Sequence, residues 1–334
     1  MKVDIVGGGL SGLTAAISLK ERNKEIEVVV HEKHKKIGFN SEARRCGEAH
    51  TVEDEWDKWR PDEKSFFNII LKGDTTIGNK HYIFPRKANT AFILNRQEFI
   101  YQLGKKAEKL GVIIKADDKI KSVKELNGDY IIDASGCPST IKRELGFNKG
   151  IKGVTYLQVI EDSNYFNADT IKLSYIDIFG YFWIFPRDPD KKEINIGIGL
   201  FENINVNLKK LLEEYKKEKN VKGRINHVAG GLIPLGLQRP FKYKNILFVG
   251  DSGVGTFIFS GQGIYRALLS GDIAGKCIAE GKASRYPKLI YRAFIKWDVI
   301  CKIYYEFILV LKRINPSFVS KAINFLIKIT EITH

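Results

Sequence analysis

The sequence predicts an α/β protein (α+β overall), with a parallel-sheet unit at the N-terminus, a second unit of antiparallel sheet and C-terminal helices. Three observations predict it. Residues 2–31 read as an apolar run, a glycine-rich turn, a helix and a second apolar run. From 153 to 200 apolar and polar residues alternate. From 281 onward the chain turns rich in Ile, Phe, Tyr and Lys with helical periodicity. The 334 residues are 44% hydrophobic and 28% charged, a globular composition long enough for about two packed units.

The N-terminal elements are justified in order. Lys-Val-Asp-Ile-Val at 2–6 reads as a short buried parallel strand. Gly7 to Gly12 form a tight turn, Leu10 to Arg22 carry helix formers with apolar spacing, and Ile26 to His31 are a second β-branched run. Together they make a βαβ unit. The turn reads Gly7-x-Gly9-x-x-Gly12. Gly7 permits the turn, Gly9 lets a pyrophosphate approach the backbone, and Gly12 lets helix and strand pack closely. Ser11 lies inside the turn, where the helix start offers free N–H groups to phosphate. Glu32 ends the second strand, 20 residues after Gly12, with Lys33 beside it. An acid there accepts hydrogen bonds from a ribose diol and repels a 2′-phosphate. The pattern is that of a Rossmann-like dinucleotide site.

Further along, 81–85, 91–94, 112–116 and 129–133 read as strands and 96–110 as an amphipathic helix. Antiparallel strands dominate 153–200, a helix spans 204–219, and Asn-Ile-Leu-Phe-Val at 245–249 returns to a buried strand before a glycine-rich turn and a helix at about 262–280. In the tail, Pro316 divides two helices.

Charge and cysteines bound the function. The net charge of +15 favours anionic partners. Within 281–334 ten basic residues face three acidic ones, a net of +7. With Trp297, Tyr and Phe on helical spacing, that tail suits either contact with an anionic membrane or two helices capping the rest of the fold. No recognised nucleic-acid module accompanies the charge, so nucleic acid is not an expected partner. The four cysteines are spread widely without metal-ligand spacing, which points to a reducing, cytoplasmic compartment. No apolar run reaches the ~18 residues of a membrane span. Abundant Lys, Glu and Ile with one Met lean towards a thermophilic source.

Three segments point to FAD rather than NAD. Asp129-Tyr-Ile-Ile-Asp133-Ala-Ser-Gly136 resembles the strand and turn that flavoproteins set beside their first βαβ unit. Gly250-Asp251, followed by Gly261, Gly263 and Ile264, resembles the segment where Asp meets the ribityl and pyrophosphate region and the next helix points at the flavin ring. Arg96, in Leu-Asn-Arg-Gln-Glu-Phe, matches an arginine that opens a helix beside the cofactor.

Two more segments narrow the resemblance. Arg44-Arg45-Cys46-Gly47-Glu48 is similar to the Arg-x-Cys-x-Glu-like stretch of archaeal geranylgeranyl reductases, and Tyr181-Phe-Trp183-Ile-Phe185-Pro186 fits that family's Tyr-x-Trp-x-Phe-Pro pattern. On a strand, Tyr181, Trp183 and Phe185 share one face and build an apolar wall, fit for a polyprenyl chain, for covering a flavin, or for an ordinary core. The chain therefore resembles the geranylgeranyl reductase family, FAD-dependent and para-hydroxybenzoate hydroxylase-like, over most of 1–280. It departs at Ile178 and Ile258, where the family carries proline, and it is shorter than typical members.

The resemblance implies an FAD-binding domain of 1–75, 88–152 and 241–280, a substrate domain of 76–87 and 153–240, and basic C-terminal helices at 281–334. It implies reduction of C=C bonds in a polyprenyl lipid or prenyl diphosphate, with NAD(P)H or ferredoxin as external electron donor. Arg45, Cys46 and Gly47 would run past the flavin, with Cys46, Tyr181 and Trp183 as the candidate catalytic side chains. Neighbouring arginines would lower the Cys46 thiol pKa. Glu48 and His50 are further proton-relay candidates, although such groups in loops are usually solvated. The rivals are a flavin monooxygenase or halogenase, since the same hexapeptide is reminiscent of the halogenases' Trp-x-Trp-x-Ile-Pro, and a flavin-binding electron-transfer or lipid-carrying protein.

Overall fold

The computed structural model describes residues 1–39, 47–51, 58–202 and 204–332, without the side chains of 297 and 326–332. Arg44, Arg45, Cys46 and the Trp297 side chain lie outside the described residues. The chain opens with β1 (Lys2–Val6), α1 (Leu10–Arg22) and β2 (Glu27–His31). Five strands follow: β3 (Ala49–Thr51), β4 (Phe66–Ile69), β5 (Lys72–Ile77), β6 (Lys80–Pro85) and β7 (Ala91–Leu94). Next come α2 (Arg96–Lys109), β8 (Ile113–Lys115), β9 (Tyr130–Asp133) and α3 (Thr140–Glu144). The second half holds β10 (Lys152–Glu161), β11 (Thr170–Ile176), β12 (Gly180–Pro186), β13 (Ile194–Leu200), α4 (Leu208–Glu218) and β14 (Arg224–Pro234). Then follow β15 (Lys242–Tyr243), β16 (Ile246–Phe248), α5 (Ile264–Ala279), α6 (Tyr286–Ile314) and α7 (Phe318–Ile332).

The first sheet runs β15-β16-β9-β1-β2-β8 and is parallel except at β15. Its inner strands are buried along almost their whole length, as parallel strands covered on both faces must be. β1 lies between β2 and β9, and β16 lies beyond β9, so Gly7, Glu32, Ala134 and Val249 emerge side by side at the carboxyl end. Ligands of open parallel sheets bind at that end.

α1 and α5 cross this sheet in contact. A Cβ on Gly271 would stand 2.2 Å from the Ser11 carbonyl oxygen, and one on Gly275 would stand 2.5 Å from that of Ala15. Both sequences advance together through the contact, so the helices run parallel. Two glycines four residues apart thus bring the N-termini of α1 and α5 to the same end of the sheet.

The second sheet has seven strands in the order β14-β10-β13-β12-β11-β5-β6, antiparallel except for β11 with β5. β5 begins at Lys72 and so spans the 75/76 boundary read from the sequence. β3, β7 and β4 form a small third sheet. α4 starts at Leu208 rather than 204, because the Asn207 side chain caps it by accepting the Lys210 N–H. β14 has no counterpart in the sequence reading; it is a largely exposed edge strand of mixed composition.

α6 spans both units. At its start the Tyr286 hydroxyl donates to the Phe248 carbonyl oxygen at 2.7 Å, in the parallel sheet. Further on, Tyr305 donates to the Phe201 carbonyl oxygen at 3.1 Å, beside the antiparallel sheet. The break between α6 and α7 falls at Asn315–Ser317, around Pro316.

Candidate functional site

The glycine turn follows the steric logic of its sequence. Gly7 has φ +108°, and a Cβ there would stand 2.4 Å from the Ala134 carbonyl oxygen. A Cβ on Gly12 would stand 2.0 Å from the Gly7 carbonyl oxygen. No described atom lies within 4 Å of the corresponding point on Gly9. The turn is closed on its protein side and open on its outer side, the cradle a pyrophosphate requires.

The helix ends agree. Asn95, Ser139 and Asn207 cap α2, α3 and α4 through their side chains, whereas Gly9 and Gly263 begin α1 and α5 with no side-chain cap. Both uncapped N-termini stand at the carboxyl end of the parallel sheet, where they suit an anion. Ser11 is buried between them, its Oγ 2.4 Å from where a Cβ of Gly250 would stand.

Glu32 is buried at the edge of the turn. One carboxylate oxygen accepts the Gly8 N–H at 2.8 Å and the other accepts the His34 N–H at 2.9 Å. Each oxygen keeps a second lone pair for a ribose hydroxyl. Lys33 is exposed. These residues fit the adenosine half of a dinucleotide.

On the far side of the sheet, Asp251 sits in a 3-10 turn after β16. Burial pushes its carboxyl up, and the charges of Arg96 and Arg266 pull it back down. The structure thus brings Arg96, at the start of α2, into the electrostatic field of Asp251. Gly263 is close to Asp251: a Cβ there would stand 2.9 Å from Thr256 Cγ2 and 3.7 Å from Asp251 Oδ1. The Ile264 side chain enters the main core, leaving the site only its backbone. The nearby Cys137 thiol is pushed up to about 11 by burial and by the Asp251 charge.

The aromatic strand faces this region from the second sheet. Tyr181, Trp183 and Phe185 line one face of β12, with ring centroids 5.9 Å apart for the first pair and 6.2 Å for the second. Trp183 and Phe185 are buried. Trp183 Nε1 donates to Asn195 Oδ1 at 2.9 Å, and the indole lies flat against Gly197, where a Cβ would stand 2.2 Å from the ring. A Cβ on Gly47 would stand 2.8 Å from the Phe185 ring and 3.6 Å from Trp183 Nε1. Gly47 therefore lies against the aromatic wall. Tyr181 does something else: its hydroxyl donates to the Ser260 carbonyl oxygen at 2.8 Å and stands 3.1 Å from the Cβ point of Gly261.

Glu48 and His50 are both buried, contrary to the solvation expected of such groups in loops. Glu48 accepts the Arg187 Nε–H at 2.5 Å, and Arg187 also pairs with Glu193 and lies over the Phe67 ring. Burial works against the Arg187 charge, but the two carboxylates more than offset it and hold its pKa above the usual value. Burial lowers the His50 pKa to about 4.

Sequence reading missed Asn195, Arg187, Arg266 and Asp298. A lone Asn inside Ile-Asn-Ile-Gly-Ile-Gly-Leu and an arginine directly after Pro186 were the available signals. Among the described residues no group of three or more His, Cys, Asp or Glu could hold a metal, and no helix is long and apolar enough to cross a membrane.

Residues 5–61 match the family model of the NAD(P)-binding Rossmann-like domain. The chain is 25% identical to a digeranylgeranylglycerophospholipid reductase of Methanocella arvoryzae, covering 83% of this chain and 77% of the relative. Identity is 26% to a protein of the same name from Thermoplasma volcanium, over 87% and 83%. The fold is shared with a geranylgeranyl bacteriochlorophyll reductase-like protein of Thermoplasma acidophilum, at a TM-score of 0.79 and 20% identity over 96% and 89%. A flavin-dependent brominase matches at a TM-score of 0.66 and 17% identity over 97% and 90%.

Proposed function

We propose that this chain is an FAD-dependent reductase that hydrogenates C=C bonds of geranylgeranyl or longer polyprenyl groups on lipids of the archaeal ether type. One observation carries the reading. The aromatic strand touches Gly47 on one side and, through Tyr181, the glycine loop at the start of α5 on the other. An apolar wall is thereby attached to a dinucleotide cradle, and the sequence relatives carry the name of a prenyl-lipid reductase.

The residues have separate roles. Gly7, Gly9, Ser11, Gly12 and Glu32 hold the adenosine and pyrophosphate half, while Arg96, Asp251, Gly261, Gly263 and the Ile264 backbone hold the flavin half. Bound and reduced, FAD supplies the hydride for the alkene. Trp183 and Phe185 exclude water and align the chain, since an unactivated alkene offers no polar handle and its reduction rests on positioning. Cys46, outside the described residues but next to Gly47 in sequence, is the side chain proposed to face the flavin and pass a proton. The electron donor is NAD(P)H or a ferredoxin, and the lipid substrate implies a peripheral encounter with a membrane.

The test is anaerobic. Purified protein with FAD and a chemical reductant is given digeranylgeranylglycerophospholipid, and the products are weighed by mass spectrometry. Gain of two hydrogens per double bond is expected. No gain without oxygen, together with oxygen-dependent hydroxylation or halogenation, would overturn the reading. Full activity in Cys46→Ala would remove only the proton-relay role.

A further inference from the structure

α6 has two faces of unlike fate. Tyr286, Ile290, Phe294, Asp298, Tyr305 and Ile308 are buried against the body of the protein. The opposite face carries Val299, Ile300, Ile303, Phe307, Val310 and Ile314, which are 38% to 70% exposed. At about 100° per residue these six fall within one arc of roughly 100°, and they extend about 23 Å along the helix. Isolated exposed apolar residues are ordinary on a protein surface, but a contiguous stripe of large ones marks an interaction site.

Charge identifies the occupant. Lys288, Arg292, Lys302 and Arg313 are exposed on α6, and Lys321 follows on α7; Glu306 is the one exposed acid on α6 among the described side chains. A second copy docking through this face would oppose one set of these cations to another, on a chain of net charge +15. An anionic lipid surface offers apolar depth to the stripe and negative headgroups to the rim. We propose that the outward face of α6 is a docking surface for an anionic bilayer, with the helix lying in the plane of the membrane. A lipid partner accords with the proposed function, while the apolar stripe and its basic rim stand apart from the reaction.

Vesicle flotation of the full-length protein tests it. One set of vesicles is phosphatidylglycerol and phosphatidylcholine in equal parts; the other is phosphatidylcholine alone. Binding to the anionic set and weak binding to the neutral set are expected. Two double variants, Ile303→Ser/Phe307→Ser and Val310→Ser/Ile314→Ser, should each lower partitioning about tenfold or more while keeping the wild-type melting temperature. Unchanged binding in both variants, or equal binding to both vesicle sets, would overturn the proposal. So would destabilisation of both variants, which would place the stripe inside a packed interface, or a solution dimer that both variants dissolve. Loss of vesicle binding with retained turnover of detergent-dispersed substrate separates this surface from the reaction. Intact vesicle binding without any turnover would count against the reaction alone.

Discussion

The Tyr181 hydroxyl donates to the Ser260 carbonyl oxygen at 2.8 Å, so a strand of the antiparallel sheet holds the glycine loop that leads into α5. The bond joins the two halves of the candidate site, because Gly261 and Gly263 lie one and three residues after Ser260. Tyr181 was expected as part of an aromatic wall and as a candidate catalytic side chain; its hydroxyl instead donates to the loop that leads into α5.

Tyr181→Phe removes that bond and keeps the ring. The loss of a neutral hydrogen bond costs about 0.5–1.5 kcal/mol of stability. The loop before α5 then loosens, and FAD affinity falls while the aromatic packing is kept. Melting curves and fluorescence titration with FAD give both numbers. Unchanged FAD affinity would show that the loop is held without Tyr181.

Glu32 faces two backbone donors, the N–H groups of Gly8 and His34. Glutamine in its place has one acceptor oxygen and turns its amide N–H group towards the second donor. Glu32→Gln therefore leaves a buried N–H unpaired and removes the charge that a ribose diol prefers. The cost is of order 1–3 kcal/mol, about ten- to a hundredfold in FAD affinity. Isothermal titration of the apoprotein with FAD checks it, and wild-type affinity would remove Glu32 from the site.

His50 sets a pH dependence of stability. In the unfolded chain it takes a proton near its ordinary 6.5, and in the folded protein only near about 4. Between those values the unfolded state binds more protons, so this residue lowers stability as pH falls from 6.5 towards 4. The full effect is of order 3 kcal/mol. Buried Asp133 and Asp251 have raised pKa values and act in the opposite sense over the acid range. The informative quantity is therefore the difference between wild type and His50→Asn, which should shrink the acid-side loss. Parallel denaturation curves of the two proteins at pH 4.5 and pH 7 would refute the account.

What could be read from the sequence followed the range of the interaction. The glycine turn and Glu32 act through neighbours a few residues away or through a fixed spacing, whereas the Gly250-Asp251 segment was legible only as a resemblance; the fold sets Gly250 beside Ser11 of the turn. Face alternation on β12 likewise needs only local geometry. Trp183 finds Asn195 across a strand pair, and Arg187 finds Glu48 at a separation of 139 residues. Nothing in the local pattern of either arginine or asparagine specified its partner. β14 escaped notice because an exposed edge strand does not require a run of buried residues. Glu48 and His50 were misjudged for the complementary reason: their burial comes from Arg187 and from the small third sheet, which only the assembled fold supplies.

The Arg266 side chain is completely buried in α5. Its Nη1 donates to Asp298 Oδ1 at 2.6 Å and its Nη2 to the Val254 carbonyl oxygen at 2.5 Å, while the Phe257 and Phe294 rings lie 4.8 Å and 4.7 Å from its Cζ. Asp298 also accepts the Leu237 N–H at 2.6 Å. The pair thus ties α6 to α5 and to the loop after β14. Removing one partner leaves an uncompensated buried charge, which costs about 3–5 kcal/mol, whereas replacing both by apolar residues of similar volume can be nearly neutral. Asp298→Ala should therefore destabilise more than Arg266→Met/Asp298→Leu, although the double variant loses both hydrogen-bonding groups. Denaturant unfolding of the two single variants and the double variant measures the coupling. Additive losses would show that the pair is not coupled, and α6 would then be held by its apolar face and by bonds such as those of Tyr286, Tyr305 and Lys312.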